Sequence, residues 1–297
     1  MELKKITEDV YYVENATNIG VIKNGGEAIL VDSGLDDDTG RRVLKVLEGM
    51  GLRPSAIINT HAHADHCGAN DYIKRRTGAL LCAPEFEADL IQHPLLSPLA
   101  FYSFASPPDE LRNKFMMAKP SIVDRIIRTD ERQLSLSGVT LGIVPLPGHA
   151  INQIGVEFDG ALFCADSLLS EELLIKHKLP VNADIGKHRA TLRFLLESKF
   201  RHYVPSHAEP ATDISGLAEA NLQAVDNIEK SILDTVKAPT PTDEVIRKVC
   251  EGQGVEIRNA QHYFLMRSVA MAYLSHLCEE GCVRMAVEKN ILLWVSQ

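Results

Sequence analysis

The sequence has no apolar run approaching the roughly 18 residues that a membrane helix needs, so no spanning segment is expected. Acidic residues follow Lys4 and Lys5 at once, where a secretory signal would place an apolar stretch, so no such signal is expected. Positive charge is in short supply: 31 Lys and Arg face 40 Asp and Glu, for a net charge of −9. An acidic chain lacks a general pull toward nucleic acid or anionic membrane, and neither is expected as a partner. There is no CxxC pair. The six cysteines are scattered along the chain, which suits free thiols in a reducing cytoplasm, most of them acting as small buried hydrophobes. Repeats and low-complexity tracts are also missing. With 45% apolar and 24% charged residues, the composition excludes a disordered chain or a small disulfide scaffold. A length of 297 residues suggests two domains, or one large domain with an appendage.

Short β-rich runs at Val10–Val13, Asn18–Lys23 and Glu27–Val31 are split by turn residues and predict an antiparallel meander. Alternating units follow: a helix over Asp38–Met50, a strand over Ser55–Asn59, a helix over Gly68–Arg76, a strand over Ala79–Ala83 and a helix around Glu85–Gln92. Residues 93–128 interrupt this rhythm with prolines, aromatics and methionines, and predict a lid-like insert or a loop packed on the body. Strands resume at Gln133–Leu136, Val139–Val144, Gln153–Phe158 and Ala161–Cys164. A helix over Lys187–Ser198, a short strand at Tyr203–Pro205 and a helix over Thr212–Lys237 complete residues 1–237. Ala238-Pro239-Thr240-Pro241 is the expected linker to a tail, 238–297. In that tail two helices, Asp243–Cys250 and Gln261–Glu280, precede two strands, Cys282–Ala286 and Ile291–Val295.

The run Thr60-His61-Ala62-His63-Ala64-Asp65-His66 carries the chemistry. It stands directly after an apolar strand. Alternate side chains of extended chain share one side, so His61 and His63 can share one ion. The turn into the next helix aims Asp65 and His66 elsewhere, toward a second ion. Imidazole nitrogen and carboxylate oxygen suit zinc, iron or manganese, and the missing thiolates argue against a closed structural zinc site. Downstream, His149, Asp166 and His207 each follow an apolar strand. Such strand ends converge in a layered α/β protein.

The HxHxDH run, the Gly148-His149 pair, Asp166 and His207 together resemble the metallo-β-lactamase superfamily, over roughly residues 5–215. The resemblance implies an α+β fold, a four-layer αβ/βα sandwich with a dinuclear centre between its sheets. It implies that His61, His63 and His149 hold one metal, that Asp65, His66 and His207 hold the other, and that Asp166 bridges them. Asp32, in Val31-Asp32-Ser33-Gly34, matches an early aspartate that orients the ligand loop. Zinc is the first expectation for both ions, with iron or manganese as alternatives. Histidine at the second motif position separates the chain from flavodiiron proteins, and the absence of a ligating cysteine separates it from the cysteine-containing lactamases. The basic pattern with which glyoxalase II contacts glutathione is not recognisable.

The tail resembles a small winged-helix module of the kind found in lactamase-β-like protein 2 hydrolases. Its seven acidic and six basic residues argue against DNA binding, so a cap over the active site or a homodimer contact is expected. The chemistry implied is hydrolysis of a small ester, thioester or lactone by a metal-bridging hydroxide, with Asp65 accepting or orienting its proton. A metal-dependent ribonuclease or phosphodiesterase, and an iron-dependent persulfide dioxygenase, are the alternatives.

Overall fold

The computed structural model covers Met1–Gln297. Seven strands form the first sheet in chain order: β1 (Leu3–Lys5), β2 (Val10–Val13), β3 (Ile19–Asn24), β4 (Glu27–Val31), β5 (Arg53–Ile58), β6 (Leu80–Pro84) and β7 (Arg125–Ile127). Pairing is antiparallel from β1 to β4 and parallel from β4 to β7. The second sheet has the order β12-β11-β10-β9-β8, from β8 (Gln133–Leu136), β9 (Val139–Pro145), β10 (Ile154–Phe158), β11 (Ala161–Leu169) and β12 (His202–His207). Only β11 and β12 run parallel in it.

Ten α-helices complete the chain: α1 (Asp37–Glu48), α2 (Ala64–Cys67), α3 (Asn70–Thr77), α4 (Glu87–Gln92), α5 (Leu96–Phe101), α6 (Glu171–His177), α7 (Ile185–Glu197), α8 (Ser215–Thr235), α9 (Thr242–Gly252) and α10 (Ala260–Glu279). Local chemistry starts and stops them. The Asp36 carboxylate accepts the Thr39 N–H at the start of α1, whose first turn carries Asp37 and Asp38. Gly78 ends α3 in the left-handed region.

Three apolar clusters define the layers. Ile29, Ile58, Val156 and Phe163 fill the space between the two sheets. Val43, Leu47, Ile73 and Leu81 seal helices onto the outer face of the first sheet. Leu192, Leu195 and Ile228 do so on the second. The expected four-layer α+β sandwich is therefore the architecture of the chain. No helix is long and apolar enough to cross a membrane.

The structure departs from the sequence pattern in several places. Strand β11 does not stop at Cys164 but continues to Leu169, so Asp166 lies within it. An aspartate in a run of apolar residues reads as a strand end, because carboxylates are depleted in strands. Here the register of β11 against β12 shifts on either side of Ala165, which has φ +49°. That irregularity bends the strand at the residue before Asp166. His207 likewise ends β12 rather than following it. Strands β1 and β7 and helix α6 had no sequence expectation; β1 and β7 are only three residues long, too short to show a period.

The insert at 93–128 is more regular than its prolines suggest, with α5 and a 3₁₀ turn at Asp109–Leu111. Leu111 and Met116 are buried and anchor it. Its contacts run to α10: Asn113 Nδ2 donates to Gln261 Oε1 at 2.8 Å, and Tyr102 meets Phe264 edge-on at 5.3 Å. In the tail, β14 (Val283–Glu288) and β15 (Ile291–Ser296) are joined by a third strand, β13 (Thr240–Pro241). The second half of the expected linker, Thr240 and Pro241, is thus paired, with Thr240 opposite Trp294. Val245, Val269, Leu274 and Trp294 of the tail share one apolar cluster with Leu192 and Ile228 of the body.

Candidate metal centre

The apolar end of β5, Ala56-Ile57-Ile58, is buried in the middle of the first sheet and delivers the histidine run to its rim. Asn59, Thr60, His61 and His66 are themselves buried. Behind them lies Asp32, fully enclosed and held in the left-handed region at φ 66°. One of its oxygens accepts the Thr60 N–H at 2.8 Å. The other accepts the Thr60 hydroxyl and His66 Nδ1, both at 2.8 Å.

These outward bonds fix which nitrogen of each ring faces inward. The Thr60 hydroxyl donates its hydrogen to Asp32, so at 3.0 Å it accepts from His61 Nδ1. His66 Nδ1 gives its hydrogen to Asp32, and His207 Nδ1 donates to the Ala16 carbonyl at 2.9 Å. In all three rings Nε2 is left to face the cluster.

The inward atoms converge. His63 Nδ1 lies 3.0 Å from His61 Nε2 and 2.9 Å from His149 Nε2. One oxygen of Asp166 is 3.3 Å from both His149 Nε2 and His207 Nε2, and the other is 3.1 Å from His66 Nε2. Asp65 Oδ2 stands 3.3 Å from His207 Nε2 and accepts the Thr17 hydroxyl at 2.8 Å. His61, His63, His149 and Asp166 form one group able to hold a metal ion, and Asp65, His66 and His207 form another. His66 Nε2 and Asp166 Oδ1 are buried and close together, yet misaligned for a hydrogen bond, so both are left unpaired. Two orphaned polar atoms aimed into a nest of nitrogen and oxygen donors fit a divalent cation.

Burial lowers His61 well below the ordinary imidazole range, and the neighbouring histidines push the same way. Burial likewise carries His149 down to about 3 against the pull of Asp166. His66 is also penalised by burial, but Asp166, Asp65 and Asp32 outweigh that and hold it well above its usual value. His207 rises to about 10 on the same balance, with Asp166 the main opposing charge. Asp166 itself is costly to bury, yet His207, His66 and His149 keep it well below the carboxylate range.

All seven expected ligand residues and Asp32 meet in this one place. Glu87 belongs with them and carried no sequence signal, because an acid in the first turn of a helix is commonplace. It is 2% exposed, and its two oxygens accept the backbone N–H of Ala62 at 2.9 Å and of Asn152 at 3.1 Å. It therefore ties the loop of His61 and His63 to the loop of His149. Gly148 allows the latter turn: its φ is +129°, and a Cβ there would stand 2.2 Å from the His188 backbone nitrogen.

The metallo-beta-lactamase superfamily matches residues 12–207, a span that includes the whole cluster. The chain belongs to the metallo-beta-lactamase superfamily. A superfamily protein of known structure from Thermus thermophilus superposes with a TM-score of 0.74 at 19% identity, covering 98% of this chain and 99% of its own. Hydroxyacylglutathione hydrolase of Anaeromyxobacter dehalogenans is 30% identical over 144 residues, which is 48% of this chain and 43% of the relative. That of Methylobacillus flagellatus is 25% identical over 150 residues, 50% of this chain and 46% of the relative. The chain thus spans about half the length of the curated relatives it matches. In this superfamily member the cluster floors a cavity of about 720 Å³, roofed by the insert and by α10.

Proposed function

We propose that the chain is a metal-dependent hydrolase of a small ester, thioester or lactone. It would hold two divalent ions, with zinc the first candidate. His61, His63, His149 and Asp166 are assigned to one ion, and Asp65, His66 and His207 to the other, with Asp166 between them. The convergence of these seven side chains carries the reading. The likeness to relatives named hydroxyacylglutathione hydrolase favours a thioester.

Bound divalent ions supply Lewis acidity and lower the pKa of water into the neutral range. The chain's own residues do the rest. Asp32 and Thr60 hold His66 and His61 by their outer nitrogens, so neither ring has to reorient during turnover. Asp65 Oδ2, steadied by the Thr17 hydroxyl, is assigned to take a proton from the attacking water. The apolar walls exclude bulk water from the reacting carbonyl. Residues 1–237 are read as the catalytic part and 238–297, winged-helix-like, as its cap. Six free cysteines favour the cytoplasm.

Elemental analysis of the purified protein, followed by a panel of thioesters, aryl esters, lactones and phosphodiesters, tests the reading. Two metal ions per chain and ester or thioester turnover that Asp166→Ala abolishes are expected. A fully metallated protein inert to the panel overturns it. One iron per chain with oxygen uptake on a persulfide replaces it with a dioxygenase, and salt-sensitive cleavage of RNA replaces it with a nuclease.

A further inference from the structure

We propose that the cavity selects substrates whose non-reacting part is an uncharged, apolar acyl group, and that it discriminates against acyl groups ending in an anion. The inference rests on the hydrolase reading for its reaction, but the cavity's binding preference stands on separate observations.

At about 720 Å³ the cavity is of the size that encloses a small organic ligand. Its walls come from three separated segments: Phe101 and Met116 of the insert, Leu173 and Val181 near α6, and Leu265 and Met266 of α10. None of its 28 lining residues is a lysine or arginine, and the carboxylates among them are Asp65, Glu87 and Asp166. Glu87 has both oxygens engaged by backbone N–H groups, so it adds negative potential without offering a donor.

Of the four cations next in sequence to lining residues, Lys176, beside His177, is exposed, and the other three have partners outside the lining. Lys114, beside Phe115, pairs with Asp36 at 3.0 Å. Lys178, between His177 and Leu179, donates to the Gly254 carbonyl at 2.9 Å. Arg267, between Met266 and Ser268, points to the Ser103 hydroxyl at 3.5 Å. Away from the metal centre the titratable cations of the lining are His177 and His262 alone, so a carboxylate or phosphate carried into this space would lose its hydration without meeting a permanently charged side chain. A methylene chain would gain from the same walls.

The test uses the full-length protein with its native metal and a series of thioesters sharing one thiol, with acyl groups from acetyl to octanoyl. Each longer acyl group is paired with an analogue of equal length ending in a carboxylate. The expected result is a kcat/KM that rises about two- to fourfold per methylene until the cavity is filled. The terminal carboxylate should lower it by about tenfold or more. Calorimetric titration with N-methyloctanamide and with its analogue whose acyl chain ends in a carboxylate reads the same preference without catalysis. Leu265→Arg should narrow or reverse the discrimination in both measurements.

A flat chain-length series, or faster turnover of the thioesters whose acyl groups end in a carboxylate, overturns the proposal while leaving the hydrolase reading intact. Binding of the neutral amide over the charged one, with no ester cleaved, upholds the cavity assignment and removes the hydrolase reading. Failure of both binding and cleavage removes both.

Discussion

The carboxylate of Asp32 lies 2.8 Å behind His66 Nδ1, although the two residues are 34 positions apart. The same carboxylate holds Thr60 by its N–H and its hydroxyl, and through that hydroxyl it orients His61. One buried aspartate, kept at an unfavourable positive φ, thereby sets two imidazoles assigned to two different ions.

Asp32→Ala should therefore weaken metal retention by about 10–100-fold, the usual cost of losing a group that orients a ligand. Asp32→Asn, which keeps an acceptor for His66, should lose less. Competition against a chromophoric chelator measures both, and equal retention in Asp32→Ala and the parent protein would contradict the relay.

Glu87→Gln replaces one accepting oxygen with an amide that donates toward a backbone N–H. One of the two loop contacts, to Ala62 or to Asn152, must then be lost. The expected cost is about 1–3 kcal/mol in denaturant unfolding. It should be accompanied by weaker metal binding, since the loops of His63 and His149 are no longer tied. A variant as stable as the parent would show that the tie contributes nothing.

Gly148→Ala places a Cβ against the His188 backbone at a φ that side chains avoid. A loss of about 2 kcal/mol or more is expected. The strain falls on the residue before His149, so metal content should drop along with stability. An unchanged melting temperature would mean that the turn can relax.

Metal uptake should release protons and strengthen as pH rises. Without metal, His207 is raised to about 10 and stays protonated between pH 6 and pH 8, and the carboxylates around His66 hold that ring's pKa well above its usual value. A cation requires the neutral ring, so each ion bound there must displace a proton. Affinity should rise about tenfold per pH unit for every proton displaced across that window. His149, already down at about 3, contributes no such dependence. Titration in buffers of different ionisation enthalpy counts the protons, and a pH-independent affinity would contradict the assignment of His66 and His207.

Much of the site was legible in the sequence because its chemistry is local. His61, His63, Asp65 and His66 occupy one turn of chain, and residue type with spacing suffices to mark them. His149 could be placed by its strand end, whereas Asp166 and His207 proved to lie within strands that continue past the expected limits. Glu87 and Thr17 left no trace, since a helix-start acid and a loop threonine look ordinary until the fold sets them against Ala62 and Asp65.

The sequence by itself determined the donor set, the alternation of strands and helices, and the superfamily to which they point, because ligand chemistry and hydrophobic period are properties of neighbouring residues. Only the tertiary structure decided that the insert and α10 close over the cluster, that Lys114, Lys178 and Arg267 turn away from the cavity, and that Asp32 reaches His66 and, through Thr60, His61. Those relations join residues tens to hundreds of positions apart, and it is the packing of two sheets and their covering helices that brings them within contact distance.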